Sequence, residues 1–392
     1  MRTFGVEEEL LLVDAATWQP LALGEDVVRQ HERSLRHGPH RPEAAPPAAE
    51  PADAVVRHAL TVELQQEQIE VVGPPQHTLD DQIAAIRTGR TLADAAARTV
   101  GGRAVALATS VSPGLPHLVP EARYRRIQQH VGRLAAEQLT CGFHVHVGVA
   151  SREEGVAVLD RIRVWLPVLL ALSANSPFWY GVDTGFASYR YQAWSRWPTA
   201  GAGEIFGSAA GYDSQVRSLL NSGVPLDDGM IYFDARLSAR FPTVEVRVAD
   251  VCLDPVHAGV IAALVRALVE TAARAWHTGG PPDPVGVTAL RTWSWRAARS
   301  GVEGQLVDPA TGTPAPARDV VAALLQRLEP VLAEQQEDEH VHGVVAAILA
   351  EGSGARTQLD AYAVRQQWRD VVEAALARGT PGAEGAQGGA HG

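Results

Sequence analysis

Phe4-Gly5-Val6-Glu7-Glu8-Glu9-Leu10-Leu11-Leu12-Val13 decides how this chain is read. Side chains of a strand point alternately to its two faces, so Phe4, Val6, Leu10 and Leu12 share one face while Glu7 and Glu9 share the other. Glu8 falls on the apolar face and is the odd member. The same grammar returns in Ile69-Glu70-Val71, in His144-Val145-His146-Val147 and in Val244-Glu245-Val246-Arg247-Val248. Where two such side chains stand two residues apart they lie about 6 to 7 Å from each other on one face. Carboxylates turned toward a core are costly unless cations neutralise them. Patches of this kind therefore imply divalent cations, arginines or both, and the economical reading is a site for metal ions and phosphate.

Each patch also has a plainer reading. Glu7 and Glu9 fit a solvent-exposed strand face as well as a cradle for Mg²⁺, which takes oxygen ligands from carboxylates and substrate phosphates. His144 and His146 fit packed or surface histidines, and their spacing would also serve zinc. The excess of glutamates and the shortage of thiolates favour magnesium or manganese. Glu245 beside Arg247 fits a strand salt bridge, or a metal-binding carboxylate next to an arginine that neutralises a transferring phosphoryl group. Asp234, Arg236 and Arg240 precede them closely, and three arginines are more than one carboxylate needs as a salt bridge. Arg190, in the loop Asp183 to Arg190, fits a substrate carboxylate contact or a structural hydrogen-bonding loop. The nine tryptophans, Trp179, Trp194 and Trp197 among them, read as packing residues rather than adenine platforms.

Composition narrows the classes. With 392 residues, 46% of them hydrophobic and 20% charged, the chain can bury a substantial core. A formal net charge of −11 opposes nonspecific nucleic-acid binding. All 34 basic residues are arginine. The absence of lysine excludes a Walker-type phosphate loop, a kinase lysine and a pyridoxal Schiff base. Two cysteines, Cys141 and Cys252, cannot make a disulfide framework and sit in apolar settings that suit buried thiols. Val164 to Ala174, the longest apolar run, is interrupted by Pro167 and falls short of the roughly 20 residues of a membrane span. Met1-Arg2-Thr3-Phe4 leads directly into the acidic strand without a signal-peptide apolar region. These features predict a cytoplasmic protein with no membrane partner.

Turn signals and periodicity outline the rest. His37 to Asp53 reads as a Pro/Ala loop, Ala54 to Val72 as a segment holding Glu63, Glu67 and Glu70, and Leu79 to Val100 as a helix. A strand is expected at 104–108, a helix over 120–138 and a strand over 140–149. Ser151 reads as the cap of a helix running to about Ala174. Strand character resumes over 232–250, followed by an apolar helix, Pro255 to His277, and by helical segments at 320–349 and 358–377. The Gly/Ala-rich end, 379–392, is expected to be disordered, leaving residues 1–378 as one catalytic domain.

Gly5 to Leu10, Glu63 to Glu70, Cys141 to Gly148, Thr184 to Arg190 and Thr243 to Asp250, in that order, resemble the bacterial type 2 glutamate–cysteine ligases, or YbdK-type carboxylate–amine ligases, related to glutamine synthetase. The resemblance spans about residues 3 to 375. It implies an α+β, glutamine-synthetase-like core, with a curved, mainly antiparallel sheet that binds ATP and metal ions on its concave face and carries helices on its outer face. It implies an ATP-dependent ligase that phosphorylates the γ-carboxylate of glutamate and lets the amine of cysteine displace phosphate, giving γ-glutamylcysteine and ADP. Carried over position by position, Glu7, Glu9, Glu63, Glu70, His146 and Glu245 match metal ligands for Mg²⁺ or Mn²⁺. Glu245, Arg247 and Arg236 match catalytic positions, Arg247 and Arg240 nucleotide-phosphate contacts, and Arg190 and Arg236 substrate contacts. A homodimer is implied as well. Leu237 departs from the pattern, since proline commonly follows the Asp-x-Arg triplet, and the loop at 37–53 is a local variation. Two other readings stay open: the same chemistry on another acid or amine, and a metal-dependent hydrolase built on the histidines and glutamates.

Overall fold

In the computed structural model, which describes residues 1–37 and 58–379, the acidic strand β1 (Phe4–Asp14) lies within the largest sheet. Around it run β2 (Ala59–Val62), β3 (Gln68–Val72), β4 (Gly102–Val105) and β5 (Gly142–Gly148). Two-residue strands β6 (Phe178–Trp179) and β7 (Val182–Asp183) pair with each other apart from it, as do β10 (Gln305–Asp308) and β11 (Thr313–Pro316). Strands β8 (Ala235–Leu237) and β9 (Thr243–Asp250) complete the order β2-β3-β1-β5-β9-β8, antiparallel throughout. β4 pairs with the second half of β1, over Leu11 to Asp14. The expected Pro/Ala loop and the C-terminal tail fall almost wholly outside the described residues.

Alternation explains the layers. Phe4 and Val6 of β1, Phe143, Val145 and Val147 of β5, and Val244 and Val246 of β9 form one buried cluster with the helices behind the sheet. Chief among these is Pro255–His277, capped by Asp254, whose Oδ1 accepts from Val256 N at 2.8 Å, with proline in its first turn. This helix is long and apolar enough to cross a membrane by composition, but 78% of its apolar window is buried inside the fold. It approaches the helix Leu79–Arg98 closely at Gly259, where a Cβ would lie 2.4 Å from Ile83 Cγ1. Leu10 to Val13, Ile69 and Val71 form a second cluster with Ala93, Val371 and Val372.

Several boundaries differ from the sequence pattern for identifiable reasons. Ser151 does cap its helix, accepting from Glu154 N at 3.1 Å, but that helix ends at Ile162, passes through a 3₁₀ turn and restarts at Leu166. Pro167 lacks the N–H that a continuous helix would direct at Arg163. The segment 120–138 divides at Gly132, which has φ of 62°. The last helical segments divide at Gln336 and Gln366, both left-handed, into Ala317–Gln335, Asp338–Glu351, Gly354–Arg365 and Trp368–Gly379. Helices Gly24–His37, Ala209–Asn221 and Val287–Ser300 had no counterpart in the pattern.

Glu8, the odd member of β1, is explained on the helix-packed face. Arg90 of the helix Leu79–Arg98 grips it with two hydrogen bonds, at 2.7 and 3.1 Å, and also donates to Cys252 O and Leu253 O. Both side chains are almost fully buried. Removing one member of such a pair strands the other charge and costs about 3–5 kcal/mol. Arg90→Met is therefore expected to lower the unfolding free energy in urea by about that amount. Adding Glu8→Leu should restore part of it, and an Arg90→Met variant as stable as the parent would remove this pair from the fold's support.

Candidate active site

Residues directly opposite in an antiparallel pair share a face. The register sets Glu70 against Glu9, Glu7 against His144, His146 against Glu245, and Glu245 against Arg236. Five strands thus place their ionisable side chains on the face away from the core helices, and both histidines face the site. These side chains open into a cavity of about 960 Å³, whose wall also holds Glu63, Arg190, Arg240 and Arg247.

Two groups of three offer ligand atoms within 4.8 Å of one another: Glu7, His144 and Glu245, and Glu9, Glu70 and His144. His144 is common to both. Its Nδ1 lies 3.4 Å from Glu7 Oε2 and its Nε2 lies 3.8 Å from Glu9 Oε1. Burial, then the charge of Arg247, lowers the His144 pKa, which favours the neutral, metal-ligating imidazole. Burial would raise Glu7, yet the adjacent His144 and His146 outweigh it and hold that carboxyl well below the ordinary range. Glu63 and Glu70 shift the other way. Burial, followed by the charge of Glu9, pushes Glu63 up to about 8. Burial, followed by the charge of Glu63, pushes Glu70 well above its usual value. Among the described residues no guanidinium hydrogen-bonds to Glu9, Glu63 or Glu70; their donors are Gly142 N, Leu64 N and Thr61 Oγ1. An oxygen-rich set with no guanidinium bonded to it fits a hard divalent cation. The cysteines do not compete, since Cys141 and Cys252 are buried and burial raises both thiols.

His146 stands beside these groups rather than in either. Its Nδ1 lies 3.0 Å from Thr243 Oγ1, and its Nε2 lies 3.4 Å from Glu7 Oε1 without a hydrogen-bond partner. Its ring meets Phe241 edge-on, with centroids 6.2 Å apart.

The arginines divide by role. Arg236 holds Glu245 through Nε at 2.8 Å and Nη2 at 3.1 Å, and its Nη1 donates to Ile231 O. Arg247 Nη1 donates to the same carboxylate, while Arg247 Nε is buried without a partner. Burial works against ionisation of Glu245, but Arg247 and Arg236 dominate and hold it far below the ordinary range. Arg240 is exposed and lines the cavity, and among the described residues its guanidinium makes no hydrogen bond to Glu245. Arg190 lines the cavity, but its terminal nitrogens donate to the carbonyls of Arg247 and Val248. Asp234 turns away, accepting from Tyr191 Oη at 3.0 Å, and burial raises its carboxyl to about 7.

Other lining residues come from segments without strand alternation. As read from the sequence, Trp194 and Trp197 pack, against each other and against Tyr232, whose ring lies 4.8 Å from that of Trp194; all three also line the cavity. Trp179 packs as well, against Tyr180 and Tyr189. Ion pairs Arg123–Asp227 and Arg152–Asp213 also belong to the wall. Leu237, the departure from the family pattern, lines the cavity and donates its N–H to Tyr212 Oη at 3.3 Å, a bond proline cannot make.

Residues 3–378 match the sequence profile of glutamate-cysteine ligase family 2. A Paenarthrobacter aurescens (strain TC1) protein named "Putative glutamate--cysteine ligase 2-1" is 50% identical over 385 residues, covering 96% of this chain and 94% of its own. A Streptomyces coelicolor protein named "Putative glutamate--cysteine ligase 2" is 46% identical over 378 residues, covering 96% and 99%. Among solved structures, a Francisella tularensis glutamate–cysteine ligase in complex with AMP aligns with a TM-score of 0.63 at 11% identity, over 96% of this chain and 88% of that one. A bifunctional glutathione synthetase from Pasteurella multocida aligns with a TM-score of 0.64 at 13% identity, over 96% of this chain and 52% of that one. At such identities the two structures speak to the fold, an α+β core on an antiparallel sheet. The profile match and the close relatives establish that the chain belongs to glutamate–cysteine ligase family 2.

Proposed function

We propose that this protein joins the γ-carboxylate of L-glutamate to the amine of L-cysteine, with ATP as phosphoryl donor, to give γ-glutamylcysteine, ADP and phosphate. The observation that carries this reading is the pair of carboxylate–histidine groups sharing His144, one of whose carboxylates, Glu245, is gripped by Arg236 and Arg247. A carboxylate is a poor electrophile. Its oxygen must first attack the γ-phosphorus of ATP, with ADP leaving; the free amine then attacks the acyl carbon, phosphate leaves with the C–O electron pair, and the nitrogen gives up one proton to solvent. Divalent cations held by Glu7, Glu9, Glu70, His144 and Glu245, with Glu63 and His146 flanking, would screen the triphosphate charge during the first attack.

The chain's own residues do the rest in this reading. Arg247 presents a guanidinium fixed by Glu245, so the donor is oriented before charge develops on the phosphoryl oxygens. Arg236 keeps Glu245 ionised and in place. Arg240, exposed on the cavity wall, is free to meet the outer phosphates. The aromatic wall of Trp194 and Tyr232 excludes water from the acyl phosphate, which water would otherwise hydrolyse. A cytoplasmic homodimer belongs to the same proposal and rests on the family resemblance. A different acid or amine would use the same machinery, whereas a metal-dependent hydrolase would not need nucleotide.

ADP release with ATP and Mg²⁺ is expected only when glutamate and cysteine are both present, with γ-glutamylcysteine seen by mass spectrometry. Release with another acid and amine would keep the chemistry and replace the substrates, whereas metal-dependent cleavage of an amide or ester by water with no nucleotide present, and no ADP release with any acid and amine, would favour the hydrolase. Glu245→Gln and Arg247→Ala are each expected to lower ADP formation by about 100-fold or more with unchanged circular dichroism. Retained turnover in both would remove them from the mechanism. Mg²⁺ in large excess over its dissociation constant, relative to EDTA, is expected to raise the melting temperature by on the order of 5 °C. Glu70→Gln should abolish most of that shift, and an equal shift in the variant would take Glu70 out of the metal site.

A further inference from the structure

Strand β9 is not regular. Phe143 pairs with Ala249 while Val145 pairs with Val246, so Arg247 and Val248 together stand opposite His144 in a β-bulge. Strict alternation from Glu245 would send Ala249 to the cavity face and Asp250 into the helix-packed core. The extra residue reverses the phase. Ala249 joins Phe143 on the core side, and Asp250 comes to lie across from Gly142 on the other.

A bulge disrupts the ladder, and its displaced backbone groups need other partners. In a regular strand successive carbonyls point to opposite edges. Here the carbonyls of Arg247 and Val248 both accept from one guanidinium, from Arg190 Nη2 and Nη1, each at 3.3 Å. The Arg247 N–H is held from elsewhere, by Asp234 O at 2.8 Å. Arg190 is fixed in turn. Its backbone N donates to Ser176 Oγ at 3.0 Å, and Asp250 Oδ1 lies 3.7 Å from its Nη1. Ser176 and Ser188 both donate to Asp250, at 2.7 and 2.9 Å. Gly142 provides the room, since a Cβ there would fall 2.2 Å from Arg190 Nη2. The Arg190 side chain is only 4% exposed.

We propose that Arg190 is a positioning residue: it stands in for the strand partners that the bulge loses and so sets the aim of Arg247, rather than binding substrate. Only the kinetic arm of its test rests on the ligase reading. In the ligand-free full-length protein, Arg190→Gln should speed amide hydrogen exchange in peptides covering 243–250 by about tenfold, with the helix Pro255–His277 unchanged. The same variant should lose about 10- to 100-fold in kcat, while KM for ATP and for both amino acids stays within about twofold. Unchanged exchange at 243–250 would overturn the proposal, as would a KM for one amino acid raised about tenfold with kcat kept, the mark of a substrate contact. If Arg190→Gln loosens the core helix as well, Ser188→Ala, which keeps the guanidinium but frees one side of Asp250, decides by the same readouts. A parent protein that forms no ADP with glutamate and cysteine would sink the ligase reading and leave the exchange result to judge Arg190.

Discussion

Carboxylates gathered on one face of a sheet repel one another and lose water together, and β1, β3 and β9 bring Glu7, Glu9, Glu70 and Glu245 to a single face. The burden is met unevenly across the sheet. On β9, Glu245 has two guanidinium groups; in the middle, Glu7 has two histidines; toward β3, Glu70 has one threonine hydroxyl. The cavity therefore runs from a cationic side to one in want of cations. A triphosphate bridged by metal ions matches that polarity, because its metals need the acidic side and its transferring group needs the basic one.

The choice of arginine matters beyond charge. A guanidinium is a planar fork with five donors, able to hold both oxygens of a carboxylate or two carbonyls at once, whereas an ammonium is a point charge. Arg90 on Glu8, Arg236 on Glu245, Arg123 on Asp227 and Arg190 on the bulge carbonyls all use the fork. Lysine would satisfy the charge at each place without fixing a direction. Direction is what the proposed role of the Glu245–Arg247 pair requires, since a donor aimed wrongly by an ångström stabilises little.

What could be read in the sequence was whatever strand alternation writes into neighbouring residues. β1, β5 and β9 announce their faces, and with them Glu7, Glu9, His144, His146, Glu245 and Arg247. The bulge could not be read, because Val244 to Val248 alternates without fault and the phase change appears only against Phe143 and Val145. The cavity walls were illegible for a related reason. Trp194, Tyr232 and Arg123 sit on a short helix, a loop and a helix start, where nothing in the local pattern tells a ring facing a cavity from a ring in a core.

Acidic residues show most clearly why pattern alone stops short, since Glu8, Glu67, Asp94 and Asp250 are buried as deeply as Glu245 and more deeply than Glu7, Glu9, Glu63 and Glu70, and none of the four joins a metal-ligand group among the described residues. An ionised carboxylate has about four lone-pair sites to fill. Asp94 receives four donors, from Arg98, Arg103 twice and Ala104 N; Asp250 receives three, from Asn175 N, Ser176 and Ser188. Glu67 is closed by the backbone N–H and ring of His117, and Glu8 by Arg90. Among the described residues Glu9, Glu63 and Glu70 each accept from one donor, and all three face the cavity. Glu67 and Glu70 differ by three positions in the chain and by nothing in residue type. The difference is one of supply and place: where the chain's own N–H and O–H groups saturate a carboxylate away from the cavity it is structural, and where they leave lone pairs open beside the cavity there is room for a ligand from outside; Glu245, which takes three guanidinium hydrogen bonds and still faces the cavity, shares both characters.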